Sequence, residues 1–132
     1  MMTNSDSLNT TALAFVGDAV YEVFVRERIA NAGLHHADRL HKAAVAYVCA
    51  EGQAKAIKAL YPKLNEEEQD LVRRARNRKS ASRPRHTDAV TYKWATAFEA
   101  LVGSLYLAGN LARLRDVMEQ AASATEQEGA AH

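Results

Sequence analysis

Residues 13–25, LAFVGDAVYEVFV, decide the fold of this 132-residue chain. The apolar residues of this stretch recur at steps of three and four: Leu13, Val16, Val20, Val23 and Phe24. This spacing predicts an amphipathic helix with those residues on its inner face. We expect the helix to run over residues 8–31 and to stop before Gly33. Asp18 interrupts the pattern, because it lies inside the apolar stretch.

Four more helices are predicted after the first, separated by loops. One covers residues 37–60 and ends at Tyr61-Pro62; the next starts after Asn65, a helix-capping residue, and ends near residue 78. The last two cover residues 91–108 and 111–122, separated by Gly109-Asn110. No strand pattern or internal repeat is evident. The sequence therefore predicts an all-α domain of about five helices over residues 8–122, with disordered segments at 1–7 and 123–132.

The composition excludes several classes of protein. No apolar run approaches the roughly 18 residues that a membrane span needs, so we expect no membrane association. The first ten residues, MMTNSDSLNT, lack the basic and apolar regions of a secretory signal. Cys49 is the single cysteine, which excludes an internal disulfide and fits a reducing compartment. The prediction is a cytoplasmic protein.

Two carboxylates stand in apolar surroundings. Asp18 lies in the stretch already quoted, and Glu99 lies in residues 94–107, WATAFEALVGSLYL. A carboxylate near a core loses hydration, which costs several kcal/mol unless a cation compensates. For either acid alone, a buried ion pair with an Arg or Lys, or a helix edge that reaches solvent, would be a sufficient explanation.

Each acid has a glycine nearby, and this favours a shared site. Gly17 directly precedes Asp18, and Gly103 follows Glu99 by four residues. Glycine lets two helices approach closely, so the carboxylates could meet. Two carboxylates in a dry cleft repel, and a divalent cation relieves the repulsion. Hard oxygen ligands suit Mg²⁺, with Mn²⁺ as a substitute.

The positive charge of the chain is concentrated in one segment. Residues 73–86, RRARNRKSASRPRH, hold seven of the 17 Lys and Arg residues and no acid. Helix-dipole charge and solvation account for Arg73 and Arg74. For the rest of the segment, contact with the phosphates of a nucleic acid is the stronger interpretation. The candidate nucleic-acid-binding residues are Arg76, Arg78, Lys79, Ser80, Ser82, Arg83 and Arg85, together with Thr87 directly after the segment.

Several of these motifs together resemble the ribonuclease III family. LAFVGDAVYEVFV resembles the signature helix of its catalytic domain, and AFEALVGSLYLAG at 97–109 resembles its second motif. DRLHKAA at 38–44 and RARNRKSASRPRHTDAVTY at 74–92 resemble in particular the Mini-III branch, which has the catalytic domain and no appended domain for binding double-stranded RNA. The resemblance covers roughly residues 8–120.

The resemblance implies a role for each acid. Asp18 matches the essential aspartate of the signature motif, and Glu99 matches the essential glutamate of the second motif. Full-length relatives carry two further acids, where this chain has Ala14 and Thr96. The acidic cluster is therefore thinner here. Glu22 is either an extra contact to the site or half of a surface or interface pair.

The resemblance also implies an activity. It predicts a Mg²⁺-dependent endoribonuclease that hydrolyses double-stranded RNA, leaves 5′-phosphate and 3′-hydroxyl ends, and matures the 23S ribosomal RNA precursor. It further implies a two-fold homodimer with the signature helix at the interface. Two other functions remain open: a non-catalytic RNA-binding or ribosome-assembly module of the same fold, and a helical DNA-binding protein that uses the same basic segment.

Overall fold

The computed structural model describes residues 9–78 and 88–130, with side chains described as far as residue 127. Six α-helices are present within these ranges: α1 Thr10–Asn31, α2 Ala37–Val48, α3 Ala50–Leu60, α4 Glu66–Asn77, α5 Ala89–Leu107 and α6 Leu111–Ala130. A short 3-10 helix, Tyr61–Lys63, follows α3. The prediction of an all-α domain is confirmed. None of the helices in the described ranges is long and apolar enough to cross a membrane.

Helix α5 lies at the centre of the domain. It packs against α1, α3, α4 and α6, and its side chains are apolar on nearly every side, as expected for a helix buried all round. On α1, the ring of Tyr21 meets the ring of Phe98 edge to face, with centroids 4.8 Å apart. The point where α1 crosses α5 therefore lies in the middle of the core.

Side-chain caps set the start of several helices. The Asn65 side chain accepts from the Glu68 backbone N–H, and the Glu68 side chain accepts from the Asn65 backbone N–H, which together form a capping box at α4. The Asp88 side chain accepts from the Thr91 N–H at the start of α5. The predicted start at Asn65 and the predicted break at Gly109, which has a φ of 75°, are both confirmed.

The predicted second helix is two helices in the structure. The chain becomes extended at Cys49, where φ is −68° and ψ is 159°, and the Cys49 Sγ accepts from the Gly52 backbone N–H at the start of α3. An added Cβ on Gly52 would lie 2.4 Å from the Ala46 carbonyl oxygen. A side chain at residue 52 would therefore block this tight turn between α2 and α3.

The predicted disordered tail is wrong for residues 123–130, because α6 continues to Ala130. Arg28 of α1 accounts for the extra turns: its guanidinium donates to Glu119 at 2.7 Å and to Glu126 at 2.7 Å. The Tyr47 hydroxyl also donates to Glu126, at 2.8 Å. These bonds tie the end of α6 to α1 and α2. The disorder predicted for residues 1–7 and for 131–132 lies outside the described residues.

Another ion pair joins α4 to α6. The Arg113 guanidinium donates to both carboxylate oxygens of Glu68 at 2.8 Å. Glu68 is only 6% exposed, so this pair compensates the charge of a buried carboxylate whose other partner is the neutral Asn65 backbone N–H.

Candidate active site

The crossing of α1 and α5 depends on two glycines. An added Cβ on Gly17 would lie 1.8 Å from the Glu99 carbonyl oxygen, and one on Gly103 would lie 1.9 Å from the Leu13 carbonyl oxygen. Each glycine thus lets the backbone of the other helix into the space that a side chain would fill. The close approach predicted from Gly17 and Gly103 is present.

This approach brings the two predicted acids together. Glu99 is partly buried on α5, whereas Asp18 is exposed on α1. Burial raises the pKa of Glu99 to about 8, with the negative charge of Asp18 as the next cause. When protonated, the Glu99 carboxyl donates a hydrogen bond to Asp18. The Asp18 side chain lies at the solvent edge of the crossing, one of the positions that its place in the apolar stretch left open.

The acid pair has the chemistry of a divalent-cation site. Two carboxyl groups that repel each other, one of which also loses hydration by burial, favour a cation between them, and their hard oxygens suit Mg²⁺ or Mn²⁺. Among residues 9–78 and 88–127, no group of three or more His, Cys, Asp or Glu side chains is placed to hold a metal. Two carboxylates fit an ion such as Mg²⁺, which usually keeps several waters and uses one or two protein carboxylates together with phosphate oxygens.

The positions that carry further acids in full-length relatives offer no ligand here. Ala14 is buried in the core. The Thr96 hydroxyl donates to the Tyr92 carbonyl oxygen at 2.9 Å, within its own helix. Glu22 forms an ion pair with Arg26 at 3.0 Å on the surface of α1, which favours the surface-pair interpretation of that residue.

Sequence reasoning missed Gln53, a polar residue beside the acid pair. It is 2% exposed on α3, and its amide lowers the pKa of Glu99 against the opposing causes. The Nε2 atom has no partner of full hydrogen-bond geometry. A signal was present in the sequence: Gln53 precedes the inward-facing Ile57 by four residues and so shares its helix face.

The predicted RNA-binding segment is described only in part. The candidate residues that lie outside the described part of the chain are Lys79, Ser80, Ser82, Arg83, Arg85 and Thr87.

The arginines of the segment that the structure describes lie on or directly after α4. The Arg76 guanidinium lies over the Trp94 ring, 4.9 Å from its centroid, and Arg78 is exposed at the end of α4. Arg73 and Arg74 both form ion pairs with Asp70 on α4, which agrees with their assignment to the helix surface.

Comparison with known proteins identifies related sequences over most of the chain. The family described as "Ribonuclease III domain" matches residues 11–110. Two proteins named Mini-ribonuclease 3 are similar to it. The one from Thermoanaerobacter sp. is 44% identical over 92% of this chain and 85% of its own length. The one from Symbiobacterium thermophilum is 45% identical over 96% of this chain and 97% of its own length.

A solved structure shares the fold. It is the crystal structure of a Fusobacterium nucleatum protein, which superposes with a TM-score of 0.77 and is 30% identical in sequence. The match covers 83% of this chain and 84% of that chain. Similarity in sequence and similarity in structure therefore extend over the same helical domain.

Proposed function

Since this chain belongs to the ribonuclease III domain family, we propose that Asp18 and Glu99 are the catalytic carboxylates of its double-strand-specific endoribonuclease activity. The observation that carries this proposal is that the two acids meet where α1 and α5 pack closely at Gly17 and Gly103, a contact called here the glycine crossing. Metal dependence is a property of the family, and we propose Mg²⁺ as the natural ion, with Mn²⁺ able to replace it.

The two acids would act together in phosphodiester hydrolysis. A divalent cation held by Asp18 and Glu99 would lower the pKa of the attacking water and neutralise charge on the phosphate. Asp18, at the solvent edge, is the acid nearer to an approaching RNA strand, and Glu99 anchors the site from the core. Water adds to phosphorus and the bond to the 3′ oxygen breaks, which leaves 5′-phosphate and 3′-hydroxyl ends.

The decisive experiment is a cleavage assay with Asp18→Asn and Glu99→Gln. Each variant should lose cleavage of duplex RNA in Mg²⁺ and keep nearly all duplex binding. Glu67→Gln is the matched control, because Glu67 is exposed in the first turn of α4, and it should cleave normally. Cleavage retained by either active-site variant contradicts the assignment.

The same assay discriminates the two other functions. Wild-type protein that binds duplex RNA without cutting it in Mg²⁺ or Mn²⁺ would favour a non-catalytic ribosome-assembly module. Binding to duplex DNA at least equal to binding to duplex RNA would favour a DNA-binding protein. The paired acids favour the nuclease, because neither of the other functions needs them.

We propose that the basic segment, with Arg76 on α4, Arg78 directly after that helix and the candidate residues between 79 and 87, binds the phosphates of the duplex. Each lost phosphate contact should flatten the slope of log affinity against log salt by about one unit. Arg83→Ala with Arg85→Ala should show this change, whereas Arg74→Ala should not, because Arg74 is paired with Asp70. If the double variant has the same slope of log affinity against log salt as wild type, the proposal that this segment binds RNA is wrong.

We also propose a two-fold dimer through α1, which would place one acid pair against each strand of the duplex. Phe15 on α1 is 82% exposed, a large apolar surface to leave in water. A groove of about 450 Å³ also lies between α1 and α2, lined largely by apolar side chains that include Leu40, Val45 and Val48. These features support an apolar contact between two copies.

Light scattering during gel filtration tests this dimer. Phe15→Glu should give a monomer, because the charge would be buried in the contact. Leu111→Glu is the matched control, since Leu111 is an exposed apolar residue on α6, and it should remain dimeric. A wild-type monomer at micromolar concentration, or a dimeric Phe15→Glu variant, would contradict the proposal.

The natural substrate we propose is the 23S ribosomal RNA precursor, cut in the cytoplasm. A transcript of the precursor, incubated with the protein in Mg²⁺, should be cut in its duplex stem at the mature ends. Cleavage scattered over unrelated duplexes at the same rate would contradict this choice of substrate.

A further inference from the structure

Gln53 is a polar side chain in a position that favours an apolar one. It lies on α3 among buried neighbours, with Ala54, Ala56 and Ile57 following it in the core. A buried amide without a full set of hydrogen bonds destabilises a folded protein, whereas an apolar side chain of the same shape does not. Among the described residues, Gln53 Nε2 and the Tyr21 hydroxyl are the buried side-chain atoms without a partner.

The surroundings of Gln53 hold it next to Glu99. Helix α3 packs directly on α5, and the tight turn at Gly52, one residue before Gln53, fixes where α3 starts. The Gln53 amide and the Glu99 carboxyl are close enough that the amide favours the charged carboxylate. The Nε2–H group nevertheless completes no hydrogen bond of ordinary length and angle.

A carboxylate that binds a cation needs its orientation fixed by a second group. Such supporting hydrogen bonds orient the ligand, and their loss typically weakens metal binding by about 10- to 100-fold. Neither Ala14 nor Thr96 provides this support, for the reasons given above. Gln53 is a buried donor that reaches Glu99 from α3, which packs on α5.

We propose that Gln53 is a positioning residue, whose Nε2 donates to the Glu99 carboxylate and turns it toward Asp18. The proposal rests on the proposed function, since it assumes that Glu99 and Asp18 hold the cation. It explains why an unsatisfied amide is kept in the core: the donor stabilises the cation-binding arrangement of the acids and destabilises the protein without the cation.

The test compares the affinity for Mn²⁺, measured by calorimetry, with the melting temperature in EDTA. Gln53→Met keeps the length of the side chain and removes the donor. It should bind Mn²⁺ about tenfold more weakly than wild type, while its melting temperature in EDTA should be unchanged or higher. Gln53→Leu serves as a second variant with the same expected outcome, should the methionine side chain disturb the packing.

Tyr21→Phe is the matched control, because it removes the other unpartnered buried group. The charged and polar groups that act on the Tyr21 hydroxyl are Tyr47, Arg28 and Glu126, and neither acid of the pair is among them. Tyr21→Phe should bind Mn²⁺ with wild-type affinity. A tenfold loss in this variant as well would show that any change in the core weakens the site, and would overturn the special role of Gln53.

Glu99→Gln separates failure of this proposal from failure of the proposed function. If Glu99→Gln loses Mn²⁺ binding while both Gln53 variants bind as wild type, the positioning role is wrong and the acid pair stands. If Glu99→Gln also binds Mn²⁺ as wild type, the proposed site itself is wrong. Weaker Mn²⁺ binding in the Gln53 variants together with a much lower melting temperature in EDTA would make Gln53 a packing residue only.

Discussion

Gly17→Ala should destabilise the protein, although alanine is the better helix former. The added Cβ would lie 1.8 Å from the Glu99 carbonyl oxygen, about 1.5 Å closer than an ordinary van der Waals contact. Because the obstacle is backbone, no side chain can rotate away, and α1 must move away from α5. Overpacking of this kind costs about 1–3 kcal/mol or more, which outweighs the gain of up to about 1 kcal/mol in helix propensity.

The displacement should also lower activity, since the residue that Gly17 touches is Glu99. A misplacement of about 1 Å in an active site can cost about 100-fold in rate. Urea unfolding followed by circular dichroism measures the free energy of unfolding, and duplex cleavage in Mg²⁺ measures the activity. Gly103→Ala, which would meet the Leu13 carbonyl oxygen at 1.9 Å, should be destabilised to a similar degree. If Gly17→Ala is as stable as wild type or more stable, the close crossing is wrong.

Two further predictions concern ionisable groups. The pKa of Glu99 is raised from 4.5 to about 8, so the folded state holds an extra proton between those values, and the stability of the protein in EDTA should fall as pH rises from about 5 to about 8. Melting temperatures across that range check this, and the fall should be smaller in Glu99→Gln; an identical fall in both proteins would contradict the assignment. Arg113→Ala should cost about 3–5 kcal/mol in urea unfolding, because it leaves the buried Glu68 carboxylate unpaired, whereas Arg115→Ala on the same helix should cost about 0.5 kcal/mol or less. Arg113 holds the pKa of Glu68 below its usual range, so the stability from this pair is present above that range and lost as pH falls, and the penalty of Arg113→Ala should shrink in acid.

The helices were predictable because apolar periodicity and caps act locally. Asn65 with Glu68 and the break at Gly109 could be identified from neighbouring residues alone. The end of α6 could not, because it depends on Arg28, nearly one hundred positions away in the chain. The division of residues 37–60 into two helices also escaped prediction, since Cys49 is an uncommon cap and the apolar pattern continues past it.

The acid pair was predictable because Asp18 and Glu99 are charged residues in apolar stretches that each contain a glycine. The exposure of Asp18 and the presence of Gln53 beside the pair were not predictable. Val23 belongs to the apolar pattern and yet is exposed, because α5 covers only part of the apolar surface of α1. Asp18 is exposed for a related reason: it lies at the edge of the crossing. Gln53 was missed because a helix pattern reports where a side chain points and not which group it meets on another helix.

The glycine crossing fixes the backbone on which one of the two acids stands. The contact that holds α1 against α5 is formed by Gly17 and the backbone of Glu99 itself, so the separation of the two backbones that carry the acids is set by main chain. Substitutions in the surface loops should therefore leave the spacing of these two backbones unchanged.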